Sequence, residues 1–323
     1  MATEAQLIAA LTRVFESPSW FSNSEPLEVG IGDDGAVFRF GDRSMVAAAD
    51  MSVEGVHFKR EWSSLLEIGA KTTAANLADI YAMGGKPLYL LITAGLPTGF
   101  TEAEVAQLAT GIASSAHLAG AKVIGGDLSK SPVLTLSITV LGEVTKPILR
   151  SGAKVGDRVI ITGVPGWSAS GLHLLKSDLS DSNFEGAVQA LLAHRRPQVD
   201  AAAALALATA GASSMCDVSD GLLSEANHIA NASKVGIEIE LSAIAKTAEF
   251  IVLKKLATDS SADIWEWLLA GGEDHHFLAT LPDGIDLPAG AIEIGRVVAE
   301  VGVRVNLEGQ SMSNYEAVGW RHF

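Results

Sequence analysis

The chain has 323 residues, of which 48% are apolar, and a formal net charge of −15 at neutral pH. Its length favours two domains over one hydrophobic core, and its negative charge, without a long cluster of Lys and Arg, argues against nucleic acid as a partner. Because no apolar run approaches a membrane span and the single cysteine, Cys216, excludes an internal disulfide, we expect a cytoplasmic protein with no membrane partner.

The first predicted elements are a helix over residues 4–16 and a glycine-rich turn, residues 30–35, that carries Asp33 and Asp34. The turn has the G-x-G-x-x-G spacing of dinucleotide-binding loops, but such loops open a helix, and here a strand pattern over residues 36–40 follows. Two adjacent carboxylates would also repel a pyrophosphate, whereas a cation would hold them together. A plain acidic turn and a metal-binding turn remain as alternatives, and further carboxylates along the chain favour the second.

Two more carboxylates follow on a predicted strand and helix. The strand pattern over residues 45–50 ends at Asp50, and apolar periodicity predicts a helix over residues 64–83. On this helix Asn76 and Asp79 share a face. Asp79 lies near the carboxyl end, where a negative charge opposes the helix dipole. It is therefore either a solvated surface residue or a functional one placed against its local preference.

The remaining elements complete an α+β first domain. We predict a strand over 88–96, a helix from a capping box at Thr101 and Glu104 to Gly120, a short strand over 122–124, and a strand over 134–144. The short strand leads into a second glycine-rich turn that carries Gly126 and Asp127. We place the domain boundary so that the first domain covers residues 1–148 and the second covers residues 149–323.

In the second domain, strand patterns over residues 158–162 and 215–217 alternate with helix patterns, and a helix over residues 264–270 ends at Gly271. A glycine-rich segment, residues 163–166, precedes one of the helices. It lacks the Lys-Ser/Thr ending of a P-loop, which favours a simple connection.

Another acidic segment links a strand to a helix in this domain. An alanine-rich helix predicted from Pro197 to Gly211 precedes it, and the segment itself carries Asp217, Ser219 and Asp220. Either Ser219 or Asp220 could cap the helix that follows, whereas capping does not explain Asp217.

Several aspartates thus lie at predicted strand ends or glycine-rich turns, and they are Asp33, Asp34, Asp50, Asp79, Asp127, Asp217 and Asp220. Hard oxygen ligands, with no Cys/His set of zinc spacing and no EF-hand pattern, favour magnesium. Magnesium on several carboxylates usually has phosphate oxygens among its ligands, so phosphoryl transfer or phosphate hydrolysis is the chemistry implied.

The ordered run of motifs resembles thiamine-monophosphate kinase, in the superfamily of aminoimidazole ribonucleotide synthetase and selenophosphate synthetase. The matching stretches are residues 30–36 (GIGDDGA), 50–58 (DMSVEGVHF), 76–79 (NLAD), 83–84 (MG), 124–127 (IGGD), 150–153 (RSGA), 217–222 (DVSDGL), 271–274 (GGED) and 319–320 (GW). Any one of them is weak alone, but together they follow the family's order and span nearly the whole chain.

This resemblance implies two α/β domains of the aminoimidazole ribonucleotide synthetase type, with the first domain forming the interface of a homodimer. It implies an ATP- and Mg²⁺-dependent transfer of the γ-phosphoryl group to thiamine monophosphate, giving thiamine diphosphate, as the last step of thiamine diphosphate biosynthesis. Several Mg²⁺ ions and ATP as co-substrate belong to this expectation. With no P-loop and no obvious nucleophile, we expect direct transfer.

The resemblance also implies residue roles. The implied metal ligands are Asp34, Asp50, Asp79, Asp127, Asp217 and Asp220. The implied catalytic residues are Asp50, Asp79, Asp127 and Asp217. The implied ATP contacts are Gly126, Asp127, Arg150 and Ser219, and the implied contacts to thiamine monophosphate are His57, Glu273 and Trp320.

Two departures from the family pattern and two rival functions complete the expectation. Ala48-Ala49 stand where the family usually has hydroxyl residues, which bears on the number of metal ions, and His275-His276 replace Tyr-Glu, a change that we expect to be structural. The rivals are another enzyme of the superfamily, which would lack the pair of Glu273 and Trp320, and a non-enzymatic sensor of nucleotides or divalent cations.

Overall fold

The computed structural model of the chain describes Gln6 and residues 27–312. It contains two sheets with helices packed on them, which confirms the α+β class expected from the sequence. The helix predicted over residues 4–16 lies outside the described residues apart from Gln6, and so does Trp320. Within residues 27–312, no helix has both the length and the apolar character needed to cross a membrane.

Within the described residues, the first domain is a five-stranded sheet covered by two helices. Its strands are β1 (Ala36–Phe40), β2 (Arg43–Val53), β3 (Lys86–Leu96), β4 (Lys122–Lys130) and β5 (Thr135–Val144), and its helices are α1 (Leu65–Ala82) and α2 (Glu102–Leu118). The spatial order is β1-β2-β5-β3-β4, and all neighbours are antiparallel except β3 and β4, which are parallel. The capping box predicted for α2 at Thr101 and Glu104 is present.

Two sequence interpretations in this sheet are wrong. Asp50 does not end its strand, because β2 stays paired with β5 as far as Val53. Gly126 and Asp127 do not form a turn but lie inside β4, where a bulge shifts the register against β3. A Cβ on Gly126 would collide with the carbonyl oxygen of Ile92, so glycine allows the two strands to approach each other here.

Helix α1 is the element around which the two domains pack. It begins at Ser64, which forms a capping box with Glu67. Most of its residues are buried, because it contacts the first sheet, α2 and parts of the second domain. Buried polar side chains on it, among them Lys71 and Asn76, must therefore find partners inside the protein.

The second domain is built on a seven-stranded sheet. Its strands are β6 (Arg158–Ile161), β7 (Ser214–Asp217), β8 (Gly236–Glu240), β9 (Phe277–Leu281), β10 (Ile292–Val298), β11 (Gly302–Leu307) and β12 (Gln310–Ser311). Its helices are α3 (Trp167–Lys176), α4 (Ala187–Arg195), α5 (Ala201–Ala210), α6 (Leu222–Ser233), α7 (Ser242–Ala245), α8 (Ala248–Asp259) and α9 (Ile264–Ala270), after a 3₁₀ turn at Arg150–Gly152. The strand order is β12-β11-β8-β10-β6-β9-β7, with β8 and β11 parallel and the other pairs antiparallel.

Two helix starts differ from the sequence expectation. Helix α5 is capped by Asp200, which accepts a hydrogen bond from the N–H of Ala203, and so it begins after Pro197 rather than at it. Helix α6 has Gly221 at its N-cap, with a φ of 115°, so neither Ser219 nor Asp220 is the capping residue. The carboxyl and hydroxyl groups of that segment are therefore not explained by capping of α6.

Three clusters of buried apolar side chains hold the molecule together. One fills the first domain, one fills the second, and a third joins Ala82 of α1 to residues of β6, β7, β9 and α5. Burial of apolar area at this third cluster holds the end of α1 against the second sheet. The exact boundary between residues 148 and 149 stays a prediction.

Candidate active site

Three carboxylates from three separate elements meet between the domains. Asp34 lies in the turn before β1, Asp79 in the last turn of α1 and Asp217 at the end of β7. One carboxylate oxygen from each lies within 4.8 Å of the others. The side chain of Asp34 is 1% exposed and that of Asp217 is 2% exposed. The cluster of Asp34, Asp79 and Asp217, here called the carboxylate cluster, concentrates negative charge away from water.

Burial is the main cause that raises the pKa of Asp34 well above its usual value, against the opposing effect of Arg150. Burial likewise raises the pKa of Asp79 well above its usual value, and Asp50 and Asp217 add to the rise. The Oδ2 atom of Asp34 is buried and has no hydrogen-bond partner among residues 27–312. Since a divalent cation would compensate the repulsion and satisfy this oxygen, the donor set fits magnesium.

Asn76 links Asp50 to the helix that carries Asp79. Its Oδ1 accepts a hydrogen bond of 2.8 Å from the backbone N–H of Asp50, and its Nδ2 donates to the carbonyl of Thr72. The amide is therefore fixed at both ends. This bond places Asp50 close enough to Asp79 to raise the pKa of Asp79. The sequence correctly grouped Asn76 with Asp79, because both lie on one face of α1.

Arg150 contacts the carboxylate cluster through Asp34. Its Nη2 is 2.5 Å from Oδ1 of Asp34, and its backbone N–H donates to Oδ2 of Asp33 at 3.0 Å. Oδ1 of Asp33 accepts the N–H of Asp34, so Asp33 joins the acidic turn to the 3₁₀ turn of the second domain. The Nε of Arg150 is buried and has no hydrogen-bond partner in the described part of the chain. The guanidinium therefore retains donor capacity for a further anion.

Two residues at the site were missed by the sequence analysis. Glu225, on α6, lies 3.8 Å from Nη2 of Arg150 and 3.0 Å from Nδ1 of His228, with its side chain 1% exposed. His275 lies 2.9 Å from Oδ2 of Asp217 through its Nδ1. Neither belongs to a recognisable spacing. The one available signal was His275-His276 directly after the Gly-Gly-Glu-Asp motif, which was read as structural.

Glu273 forms a second centre beside the cluster. Its Oε2 lies 2.8 Å from Nζ of Lys71 on α1 and 3.5 Å from Nδ1 of His194 on α4. Its backbone N–H donates to the carbonyl of Ser219 at 2.7 Å. Burial would raise the pKa of Glu273, but the positive charge of Lys71 holds that pKa below its usual value. The carboxylate is therefore ionised and tied to both domains.

The other implied residues do not join the carboxylate cluster. Nδ1 of His57 accepts a hydrogen bond of 3.1 Å from the backbone N–H of Val53. The N–H of Asp220 lies 3.4 Å from Oε1 of Glu225. Trp320 lies outside the described residues, so its role stays a prediction.

Gly126 and Asp127 lie three strands away from Asp50 in the first sheet. The register runs from Asp50 on β2 through Ile138 on β5 and Ile92 on β3 to Gly126 on β4. Three steps of about 4.8 Å put Gly126 roughly 14 Å from Asp50. Asp127 is one residue further along the strand, so its side chain projects from the opposite face of the sheet. Within one chain, Asp127 and Asp50 therefore do not share one metal ion.

Comparisons with known proteins agree with this architecture. Residues 32–144 match the family described as AIR synthase related protein, N-terminal domain, and residues 154–308 match its C-terminal domain. The chain is 37% identical to a thiamine-monophosphate kinase of Mycobacterium tuberculosis, over 91% of this chain and 86% of that one. It is 38% identical to a thiamine-monophosphate kinase of Bacillus subtilis, over 79% of this chain and 78% of that one.

A solved structure supports the same grouping. AaThiL complexed with AMPPCP and TMP superposes with a TM-score of 0.86 at 30% identity, covering 99% of this chain and 97% of that one. Both domains of the expected type are thus present, in the expected order. On these similarities, which extend over most of its length, the chain belongs to the thiamine-monophosphate kinase family of AIR synthase related proteins.

Proposed function

We propose that this chain transfers the γ-phosphoryl group of ATP directly to the phosphate of thiamine monophosphate, with Mg²⁺ held by the carboxylate cluster. ATP-dependent phosphorylation of thiamine monophosphate is the activity of its family. The observation that carries the metal-dependent part is the buried meeting of Asp34, Asp79 and Asp217, with one oxygen of Asp34 unsatisfied. Phosphoryl transfer needs this kind of site, because it relies on positioning and on neutralising charge.

Each part of the cluster has a proposed task. Asp34, Asp79 and Asp217 hold magnesium, and Asp50 extends this set from the neighbouring strand. When bound, Mg²⁺ supplies positive charge to the phosphate oxygens as negative charge develops on them. Arg150 offers its remaining donors to ATP, which is consistent with its unpartnered Nε. Ser219, the other proposed ATP contact of this domain, lies in the segment after β7, where its carbonyl accepts the N–H of Glu273.

Direct transfer is favoured over a phosphorylated enzyme. Cys216 neighbours Asp217 in sequence, but it is fully buried in β7. Burial, with Glu225 and Asp34 adding to it, raises the pKa of this thiol well above its usual value. The thiol therefore stays protonated, and a protonated thiol is a poor nucleophile. The phosphate of thiamine monophosphate itself supplies the attacking oxygen.

A homodimer formed through the first domain completes the proposal. Strand β4 is an edge strand with all nine residues exposed. Val123, Ile124 and Leu128 are 37%, 51% and 64% exposed on it. Exposed apolar edge strands invite pairing with another chain. Since Asp127 lies on this strand and away from Asp50, a partner copy is the natural place for its metal and ATP contacts.

The test is product analysis with ATP, magnesium and a panel of acceptors. We expect ADP and thiamine diphosphate from thiamine monophosphate, and no product from free thiamine, which lacks the attacking phosphate oxygen. Chelation with EDTA should abolish turnover and excess magnesium should restore it. ADP release with a different phosphorylated acceptor would instead identify another enzyme of the superfamily. ATP binding without turnover on any acceptor would identify a sensor.

A further inference from the structure

We propose that Lys71, on α1 of the first domain, is a positioning residue for thiamine monophosphate, because it fixes Glu273 of the second domain with one carboxylate oxygen left for the acceptor. This inference rests on the proposed function and on the contact to thiamine monophosphate that the family resemblance implies for Glu273. Lys71 itself touches neither ATP nor the reacting phosphates in this scheme. It acts through Glu273, across the boundary between the domains.

The burial of Lys71 requires a partner of opposite charge. Lys71 is 7% exposed, and its Nζ lies 2.8 Å from Oε2 of Glu273. Among residues 27–312, no other carboxylate forms an ion pair with it. A buried ammonium without a partner is strongly unfavourable, so this ion pair links α1 of the first domain firmly to the second domain.

Within residues 27–312, the ion-pair contacts of the Glu273 side chain are all on one of its two oxygens. Lys71 and His194 both reach Oε2, while the side chain as a whole stays 32% exposed. Burial and the nearby Lys71 lower the pKa of His194 to about 3, so His194 is neutral and adds no second cation. Among the described residues, Lys71 is therefore the one positive charge that contacts Oε2. The other oxygen, Oε1, remains available as a hydrogen-bond acceptor for a ligand.

The backbone at Glu273 also needs external support. Glu273 has a φ of 66° and His275 a φ of 53°, values in the left-handed region that residues other than glycine rarely adopt. Such conformations persist only where surrounding contacts determine them. Here the backbone bonds to Ser219 and Val218 and the side-chain bond to Lys71 provide those contacts.

Helix α1 sets the distance between the two centres. Lys71 and Asp79 are eight residues apart on it, which corresponds to about 12 Å along the helix axis. One end therefore anchors Glu273, and the other contributes to the carboxylate cluster. The acceptor would place its phosphate at the cluster and its organic part at Glu273. Helix α1, one rigid element, then sets the distance between these two points. Loss of Lys71 should disturb recognition of the acceptor but not of ATP.

The experiment compares Lys71→Met, Lys71→Gln, Glu273→Gln and the double variant Lys71→Met/Glu273→Gln by steady-state kinetics, with Lys86→Met as control. Lys86 is an exposed lysine at the start of β3 in the same domain. We expect Lys71→Met to raise KM for thiamine monophosphate by about tenfold or more, since small displacements of a positioned group have effects of this size. KM for ATP should stay within about twofold, as for Lys86→Met, and Lys71→Gln, which keeps a donor without its charge, should lie between.

The double variant tests whether Lys71 acts through Glu273. If it does, the double variant should resemble Glu273→Gln alone, because the two losses remove one interaction. The inference is overturned if the two effects multiply, if Lys71→Met leaves KM for thiamine monophosphate within about twofold, or if it lowers the melting temperature and weakens both substrates alike. A wild-type enzyme that makes no thiamine diphosphate would overturn the proposed function itself. If the wild-type enzyme is active, the results with the Lys71 variants test this inference and not the proposed function.

Discussion

The guanidinium of Arg150 lies 2.5 Å from the carboxylate of Asp34, and both side chains are largely removed from solvent. This contact joins the acidic turn of the first domain to the first turn of the second. It also counters part of the repulsion within the carboxylate cluster, because Arg150 lowers a pKa that burial raises. Arg150, an implied ATP contact, and Asp34, an implied metal ligand, thus stabilise each other before ATP or metal binds.

Removing Arg150 should destabilise the metal-free protein strongly. Arg150→Met leaves Asp34 buried without its cation, and breaking a buried ion pair from one side costs about 3–5 kcal/mol. Arg304→Met is the matched control, because the pairs of Arg304 with Glu238 and Glu300 are exposed and should contribute at most about 1 kcal/mol. Urea unfolding in EDTA measures both. Equal losses in the two variants would mean that the Arg150 pair is no more than a surface contact.

The carboxylate cluster should be essential for turnover. Asp79→Asn and Asp217→Asn each remove one charge from the proposed metal site, and we expect kcat to fall about 10²–10³-fold, as when one electrostatic contact to the transition state is lost. Asp283→Asn serves as control, because Asp283 is 73% exposed in an ion pair with Arg296. Rates at saturating ATP, magnesium and thiamine monophosphate decide it. Rates near wild type in both cluster variants would remove these aspartates from the mechanism.

The same change at Asp79 should stabilise the protein when no metal is bound. The folded-state pKa of Asp79 is raised, mainly by burial and then by Asp50 and Asp217. Between its usual value and this raised value the folded state holds more protons than the unfolded state, so stability falls as pH rises through that window. Asp79→Asn removes this loss.

Urea unfolding in EDTA should therefore find Asp79→Asn more stable than wild type at about pH 8, with the difference shrinking toward about pH 5. Saturating magnesium should reverse the order at about pH 8, because the wild-type site binds the ion better. A variant that is less stable than wild type at both pH values in EDTA would show that Asp79 is not under this repulsion.

Much of the fold could be predicted from local sequence signals. Helix α1 was expected over residues 64–83 and runs from Leu65 to Ala82, because its capping box and glycine stop act locally. The extent of β2 could not be predicted in this way. Its pairing with β5 carries it past Asp50, and such long-range pairing leaves no mark within a single strand.

The site shows the same division. Asp34 and Asp217 were singled out by a turn and a strand end, and Asp79 by its position near the carboxyl end of a helix; the structure brings the three together. The pairing of Lys71 with Glu273 could not be predicted from the sequence. The two residues are 202 positions apart and become neighbours only through the packing of the two domains. Lys71 in particular looked like an ordinary helix residue, since its burial is set by tertiary contacts.

Mixing two inactive variants should restore activity if Asp127 serves the site of a partner chain. Asp127 lies on the exposed edge strand β4, whereas Asp79 lies on α1 and belongs to the carboxylate cluster. Homodimers of Asp79→Asn or of Asp127→Asn each carry the change in both sites. A mixed dimer has one site with both changes and one site with neither.

After unfolding and refolding the two chains together, we expect about a quarter of wild-type activity, because half of the dimers are mixed and each has one intact site. Equal amounts of the variants mixed without subunit exchange give the baseline, and light scattering gives the mass of the assembly. A monomer mass would contradict the dimer, and a dimer without recovery would show that each chain completes its own site.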